Sequence, residues 1–194
     1  MVSKRLIKGA FRLFLRLARR LKYQVLSTNT WTDHAPTQYQ PLLLAGSGTI
    51  TFQTNVRIGV SSSPKFWSSE CYIEARSTSA KVEIGQNTWI NNGFSAISEN
   101  GSIFIGKDCL IGHDVFIIDS DFHQLDPDIR HMGKKSISQP VYIGNNVFIG
   151  SRVTILKNAH IGDGCVVAAD TVVSGTFPAR ALIAGNPAKL IRTL

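Results

Sequence analysis

The sequence is poor in cysteine, with three in 194 residues, and it lacks a long apolar run. An odd number of cysteines does not suggest a disulfide framework, and we expect Cys109 and Cys165 to be core residues in a reducing, cytoplasmic compartment. No run of 18 apolar residues occurs, so no membrane-spanning helix is predicted. A signal peptide is not expected, because Arg12 and Arg16 interrupt the apolar part of the N-terminus.

Positive charge is scarce outside the N-terminus, although the formal net charge of the chain is +8. Eight of the 21 Lys and Arg residues lie within the first 22 positions, so the rest of the chain is close to neutral. This distribution argues against a broad nucleic-acid footprint, and no nucleic-acid partner is expected. The length fits one domain with an appendage.

Residues 3–22 are predicted to form an amphipathic basic helix. Apolar residues recur at a spacing of three or four, as in a helix with one apolar face: they are Leu6, Ala10, Leu13, Phe14, Leu17 and Leu21. Two interpretations stay open and do not exclude each other. The apolar face packs on the rest of the protein or on partner subunits, or it lies peripherally on the anionic inner membrane surface, near a lipid-linked substrate.

The most regular feature is a repeat with a strict period of six, clearest in residues 143–173. An aliphatic residue opens each hexad there: Ile143, Ile149, Ile155, Ile161, Val167 and Val173. The next position is mostly glycine, the position three after is mostly Asn, Asp or Gly, and the position four after is mostly small. Neither an amphipathic helix nor a simple strand has this period by itself.

Each hexad is therefore interpreted as a short strand followed by a sharp corner, where Asn, Asp or Gly takes a positive φ. Three strands and three corners close a coil of 18 residues, and stacked coils bury one continuous apolar column. We predict an all-β fold, a parallel β-helix over residues 46–182. Residues 1–45 are assigned to the helix and a linker, residues 183–194 to a C-terminal tail, and residues 119–140 to a protruding loop without repeat register.

These hexads, together with the segment Ile-Ala-Gly-Asn-Pro-Ala-Lys at residues 183–189, resemble the hexapeptide-repeat acyltransferases. The resemblance covers roughly residues 45–192 and is closest to the galactoside, maltose and polysaccharide O-acetyltransferase branch. It implies a left-handed parallel β-helix, a homotrimer and acetyl-CoA as the acyl donor. No metal is expected, because the spacing of the histidines does not favour a metal site. The acceptor that it implies is a sugar hydroxyl of a glycan or of a polysaccharide precursor.

His123, at the start of the protruding loop, is the strongest candidate for a catalytic residue. Acyl transfer to a hydroxyl requires the removal of one proton, and imidazole ionises near neutral pH. Its position also resembles that of the catalytic histidine of the branch. Asp121 shares a face with His123 if the segment is extended, so it is a candidate to orient the ring; Asp119, Asp126 and Asp128 are rivals for that role.

The resemblance also implies a set of binding residues. A backbone N–H at Ser151 would stabilise the oxyanion. The pantetheine arm would pass Ala168, Ala169 and Ser174, and the CoA phosphates would meet Lys189 and Arg192. The acceptor would contact Asn91 or Asn92, and His131 in the loop is a further candidate.

One departure from the branch concerns the loop. Enzymes of the branch that modify simple galactosides carry a glutamate after the histidine, whereas this chain has Gly133, Lys134 and Lys135. A small galactoside is therefore a less favoured acceptor.

Three alternatives remain at this point. The first is N-acetylation of a nucleotide-linked amino sugar with the same histidine, and the second is a non-catalytic solenoid subunit that binds partners. The third is a zinc site, but the spacing of His113, His123 and His131 does not match the closely spaced ligands of the γ-class carbonic anhydrases. The favoured interpretation is direct attack on acetyl-CoA, because no activated Ser or Cys is evident near the loop.

Overall fold

The computed structural model describes residues 4–132 and 137–194, and side chains within the N-terminal helix from residue 7 onward. One helix, α1 (Lys4–Leu26), is followed in these residues by short strands. In chain order the strands are β1 (Thr32–Asp33), β2 (Thr37–Gln38), β3 (Leu42–Gly46), β4 (Thr49–Phe52), β5 (Arg57–Ile58), β6 (Cys71–Ala75), β7 (Lys81–Ile84), β8 (Trp89–Ile90), β9 (Ser95–Ser98), β10 (Ser102–Ile105), β11 (Leu110–Ile111), β12 (Phe116–Ile118), β13 (Val141–Ile143), β14 (Phe148–Ile149), β15 (Thr154–Ile155), β16 (His160–Ile161), β17 (Val166–Val167), β18 (Val172–Val173), β19 (Thr176–Phe177), β20 (Ala181–Ala184) and β21 (Lys189–Thr193).

Every third strand joins the same sheet, so the chain winds around a three-sided prism. Sheet 1 runs β1-β4-β7-β10-β13-β16-β19, sheet 2 runs β2-β5-β8-β11-β14-β17-β20-β21, and sheet 3 runs β3-β6-β9-β12-β15-β18. Neighbouring strands are parallel except β20 and β21. The registers stack equivalent hexad positions, as Ile105 on Ile143 and Ile143 on Ile161. The aliphatic column is buried along the axis of the prism, as predicted.

The corners have the predicted backbone. All nine residues at the third position after the aliphatic have φ between 54° and 70°: Asn87, Gly93, Asp108, Asp114, Asn146, Arg152, Asn158, Gly164 and Asp170. Arg152 adopts this conformation although it is not an Asn, Asp or Gly, and its guanidinium binds both carboxylate oxygens of Asp170 one coil later at 2.6 Å. The corner geometry is therefore imposed by the coil and does not depend on residue type at every position.

Glycine follows the aliphatic residue because each corner stacks directly on the next. A Cβ on Gly150 would lie 2.5 Å from the backbone nitrogen of Ala169. We expect Gly150→Ala to lower the free energy of unfolding by about 1–3 kcal/mol or more, since backbone must move to admit the methyl group. Denaturant unfolding measures this. The matched control is Gly9→Ala in α1, where a Cβ meets nothing within 4 Å and alanine favours the helix by about 1 kcal/mol. Equal stability of the Gly150→Ala and wild-type proteins would contradict direct stacking.

The prediction that the residues between the helix and residue 46 form a linker is wrong over much of their length, because the first coil begins before residue 46. β1 pairs with β4, β2 with β5, and β3 with β6, all in parallel register. The helix also extends further than predicted, to Leu26. The sequence did not indicate the first coil, because β1 and β2 have only two residues each and these are polar. No aliphatic residue of the six-residue period lies in them.

The C-terminal segment forms structure instead of a plain tail. β21 folds back antiparallel on β20, with Ala184 opposite Lys189, after a cis peptide bond between Asn186 and Pro187. All five residues of β21 are exposed. The segment therefore covers the edge of β20 and is itself the outer strand of sheet 2.

Helix α1 docks through its polar face. Arg19 donates hydrogen bonds to the carbonyl oxygens of Phe66 and Ser69 at 2.8 and 2.6 Å, and the Tyr23 hydroxyl donates to Glu70 at 2.7 Å. Most of the large apolar side chains are instead 52–76% exposed, and only Leu15 among the described ones is half-buried; the exposed ones are Ile7, Phe11, Leu13, Phe14, Leu17, Leu21, Val25 and Leu26. Packing of the apolar face on the β-helix is therefore ruled out, because polar contacts hold the opposite face. In the part of the chain that the structure describes, no helix is long and apolar enough to cross a membrane.

Candidate active site

Two edges of the prism carry the predicted site residues. We call the corners between sheets 2 and 3 the Ser151 edge; it includes residues 91–92, 112–113, 150–151 and 168–169. We call the corners between sheets 3 and 1 the loop edge; it includes residues 98–99, 119–120, 156–157 and 174–175. Both names follow from the strand order.

The protruding loop leaves the loop edge between β12 and β13, and Asp119 fixes its base. This buried carboxylate accepts hydrogen bonds from the Ser98 hydroxyl and from the backbone N–H groups of Glu99 and Gly101, at 2.7 to 2.9 Å. The Asp119 carbonyl oxygen accepts the N–H of Gln139 at 2.8 Å, which joins the two ends of the loop. Asp119 is therefore an anchor and is excluded as the partner of His123.

His123 is exposed just beyond this anchor. Its backbone N–H donates to the Asp121 carbonyl oxygen at 2.7 Å, and Phe122 between them has a φ of 60°. The segment is thus a tight turn and not the extended chain on which the shared-face argument for Asp121 depended. The Asp121 carboxylate bonds to Lys157 of the next coil, and the His123 ring has no hydrogen-bond partner among the described residues. A role for Asp121 in orienting the ring stays a prediction.

A second contact holds the turn from the N-terminal side. The Arg76 guanidinium lies 4.8 Å from the centroid of the Phe122 ring and donates two hydrogen bonds to Glu74 at 2.9 and 3.0 Å. Those bonds from Arg76 lower the pKa of Glu74. Burial, together with a hydrogen bond to Glu74, raises the pKa of Tyr72 to about 12. Arg76 and Lys157 thus hold Phe122 and Asp121, the two residues before His123, from two coils, and no motif in the sequence marked either residue.

Ser151 lies on the other edge with its backbone N–H free of any acceptor among the described residues. Its carbonyl oxygen accepts the N–H of Asp170 at 3.0 Å, so the coil that carries Ala168 and Ala169 stacks directly beside it. These three predicted residues form one continuous strip along the Ser151 edge. The strip offers the N–H of Ser151 and small side chains, which suit an extended ligand that lies along it, whereas the N–H of Ala168 donates to the carbonyl oxygen of Ile183 at 2.9 Å.

The two candidate asparagines differ. Asn92 is fully buried, and its amide binds the backbone of a second loop, residues 60–70, with Val60 N–H at 3.0 Å and the carbonyl oxygens of Val60 and Pro64 at 2.9 and 2.8 Å. The predicted contact of Asn92 with an acceptor is therefore wrong. Asn91 remains accessible and lines a 180 Å³ groove with the exposed side chains of Trp89, Leu110 and Phe148.

The remaining predicted residues lie apart. Ser174 is exposed on the loop edge, Lys189 and Arg192 are exposed in β21, and His131 is exposed in the protruding loop. Gly133, Lys134 and Lys135 lie outside the described residues.

Two other histidines, His113 and His160, have structural contacts. His113 lies 3.2 Å from Asp114, which also binds Lys65 at 2.8 Å, and His160 stacks on Tyr142 with ring centroids 4.7 Å apart. Within residues 4–132 and 137–194, no three His, Cys, Asp or Glu side chains form a group that could hold a metal.

The cysteines do not provide a nucleophile near either edge. All three are buried, and burial raises the pKa of the Cys71 thiol to about 12. Burial is also the main cause of the raised pKa values of Cys109 and Cys165. Because the thiolate is the reactive form, these thiols are inert core groups.

Comparison with known proteins identifies the repeat. Residues 140–175 match the family model described as bacterial transferase hexapeptide (six repeats). The galactoside O-acetyltransferase of Escherichia coli (strain K12) is 31% identical over 115 residues, which cover 59% of this chain and 55% of that protein. This chain spans about half the length of several curated relatives that it matches.

Two solved structures extend the comparison. The structure of the polySia-specific acetyltransferase NeuO is 28% identical, with a TM-score of 0.58, and covers 79% of this chain and 68% of its own. The hexapeptide-repeat acetyltransferase VCA0836 of Vibrio cholerae O1 biovar eltor, solved with acetyl coenzyme A, is 24% identical, with a TM-score of 0.56, and covers 96% of this chain and 84% of its own. The left-handed parallel β-helix is confirmed, and so is the predicted resemblance of this chain to the hexapeptide-repeat acyltransferases.

Proposed function

We propose that the protein is a CoA-dependent O-acetyltransferase that moves an acetyl group from acetyl-CoA to a sugar hydroxyl of a glycan or polysaccharide precursor. The observation that carries the proposal is the imidazole of His123, which is exposed and has no hydrogen-bond partner among residues 4–132 and 137–194, on a loop of a hexapeptide-repeat β-helix. A galactoside O-acetyltransferase and a polySia-specific acetyltransferase among the similar proteins support the sugar acceptor.

The chemistry needs one base and one oxyanion site. His123 takes the proton of the acceptor hydroxyl while its oxygen attacks the thioester carbonyl. The developing oxyanion is stabilised by the N–H of Ser151, which has no acceptor in the part of the chain that the structure describes. The tetrahedral intermediate then collapses, the C–S bond breaks, and the imidazolium returns the proton to the CoA thiolate. Direct transfer is favoured over a covalent intermediate, because the three thiols are buried and burial raises the pKa of each.

Acetyl-CoA would lie along the Ser151 edge. The pantetheine arm would pass Ala168 and Ala169. Ser174 lies on the loop edge, so it would contact the arm only from a neighbouring subunit. The exposed cations Lys189 and Arg192 of β21 would meet the phosphates, to which a guanidinium can bind through two parallel hydrogen bonds. Asn91 and His131 remain the candidates for contact with the acceptor.

One chain alone keeps the base and the oxyanion donor on different edges. Ser151 and Lys157, which lie at equivalent corner positions, are six residues apart, a separation on the order of 15–20 Å at about 3.3 Å per residue. A homotrimer would resolve this by placing the loop edge of one subunit against the Ser151 edge of its neighbour. The exposed ladder of Trp89, Leu110 and Phe148 on sheet 2 is apolar surface that such an interface would cover.

Helix α1 would bring the enzyme to an anionic membrane surface. Its apolar face points away from the β-helix with side chains 52–76% exposed, and Lys8, Arg20 and Lys22 provide positive charge on the same helix. Apolar burial and attraction to anionic lipids together drive such binding. Peripheral contact would place the active site near a lipid-linked glycan.

Binding of acetyl-CoA tests this proposal first. At a concentration one hundred times the dissociation constant, a ligand that binds only the folded protein stabilises it by about 2.7 kcal/mol. We expect a clear rise of the unfolding temperature with acetyl-CoA and no rise with acetate alone. No stabilisation at any acetyl-CoA concentration would favour the non-catalytic solenoid subunit.

A further inference from the structure

A second cleft lies between α1 and the loop of residues 60–70, and the acetyl-transfer chemistry does not use it. Its volume is about 520 Å³, and its lining includes Gly9, Arg12, Arg16, Ser61, Phe66 and Trp67. The loop is an insertion at the Ser151 edge between β5 and β6. The cleft therefore lies between the proposed membrane helix and the edge that carries Asn91 and Ser151.

The cleft is strongly basic. No Asp or Glu lines it, and neither Arg12 nor Arg16 has a carboxylate partner among the described residues. The Arg16 guanidinium lies 4.9 Å from the centroid of the Phe66 ring, a contact that leaves its hydrogen-bond donors available. Arg19 differs, since its donors are bound to backbone carbonyl oxygens. Two guanidinium groups at one cleft, with no acid beside them, match the geometry and charge of a phosphate or diphosphate group.

The wall of the cleft is tied to the Ser151 edge. Asn92 holds the backbone of Val60 and Pro64, and Lys65 of the same loop binds Asp114 at 2.8 Å. A ligand with its anionic group between Arg12 and Arg16 would therefore extend along a rigid wall toward Asn91. Trp67, which is 46% exposed at the mouth, offers an apolar ring face beside the anion site.

We propose that this cleft binds the phosphate or diphosphate group of the acceptor, and thus that the acceptor is a phosphate-linked sugar. That the bound phosphate belongs to an acceptor rests on the proposed O-acetyltransferase function, but the anion site itself rests only on the cleft. In this arrangement the buried amide of Asn92 has a structural role, because it fixes the loop that forms one wall of the cleft.

Calorimetric titration with inorganic pyrophosphate tests the site. We expect Arg12→Gln to weaken pyrophosphate binding at least tenfold, and Arg12→Gln with Arg16→Gln to abolish it. Arg12 makes no hydrogen bond with described residues, so its replacement does not disturb the docking of α1. The matched control is Lys8→Gln with Lys22→Gln, which removes two charges from the same helix outside the cleft and should leave binding within about twofold of wild type. Equal weakening by both pairs would overturn the site.

Two further measurements separate the sources of phosphate. Acetyl-CoA affinity should be unchanged in Arg12→Gln; a parallel loss would assign the cleft to the CoA diphosphate and overturn the acceptor proposal. If the protein does not bind pyrophosphate but binds phosphatidylglycerol vesicles in a way that requires Arg12, the anion in the cleft is a lipid headgroup. This result would also overturn the acceptor proposal. A protein that binds pyrophosphate through Arg12 but never binds acetyl-CoA would keep the anion site while the proposed function fails.

Discussion

Replacement of His123 by alanine is expected to lower kcat for acetyl transfer by about 10²–10⁴-fold, the usual contribution of a positioned general base. The side chain is exposed and lacks a hydrogen-bond partner among the described residues, so its removal should not change the free energy of unfolding. Acetyl-CoA affinity should stay within about twofold of wild type, because the proposed donor strip lies on the Ser151 edge. Steady-state kinetics and acetyl-CoA titration measure both quantities.

Two controls make this result specific. His160→Ala removes an imidazole that stacks on Tyr142 and should keep nearly full activity. Lys157→Met releases Asp121 and should lower kcat less than His123→Ala, since Lys157 acts only by bracing the turn. Full activity of His123→Ala would remove the base from the proposed mechanism.

Replacement of Phe14, Leu17 and Leu21 together by serine is expected to reduce binding to phosphatidylglycerol vesicles by about 100-fold or more. These side chains are 55–62% exposed on α1, and none of them lines the cleft between α1 and residues 60–70. Full burial of one leucine or phenylalanine contributes about 1.5–3 kcal/mol, so partial loss of three in the lipid interface exceeds about 3 kcal/mol. Vesicle sedimentation at two salt concentrations measures the change and separates the apolar from the electrostatic part.

The matched control places serine at apolar residues that are exposed elsewhere. Leu125, 74% exposed in the protruding loop, and Leu190, 48% exposed in β21, should be replaceable without effect on vesicle binding. If the triple serine variant keeps its vesicle affinity but sediments as a smaller oligomer, the apolar face of α1 packs against a neighbouring subunit.

The repeat was predictable because each of its columns has one physical cause. The aliphatic position of each hexad fills the axis of the prism, the corner position takes a positive φ, and the glycine position admits the stacked backbone of the next coil. Where these repeated positions are absent, the strands were not predicted: β1 and β2 were assigned to a linker, since polar two-residue strands show no period. Arg152 shows that a corner can also form without Asn, Asp or Gly, since its conformation is set by the neighbouring coils.

The candidate site was less predictable, because it depends on contacts between distant coils. The sequence pointed to His123 through the break in the repeat, but the turn at Phe122 and the braces from Arg76 and Lys157 follow from stacking in three dimensions. Asn92 illustrates the same limit. Its residue type suits a polar ligand, yet the insertion at residues 60–70 folds over it and uses its whole amide.

The most direct measurement of the central claim is the release of the CoA thiol, followed with acetyl-CoA and a panel of acceptors. We expect release only when a hydroxyl-bearing, phosphate-linked glycan is present, an ester product, and loss of turnover in His123→Ala. A stoichiometric burst of thiol without acceptor would contradict direct attack. Turnover only with amino-sugar nucleotides, which gives an amide, would contradict O-acetylation.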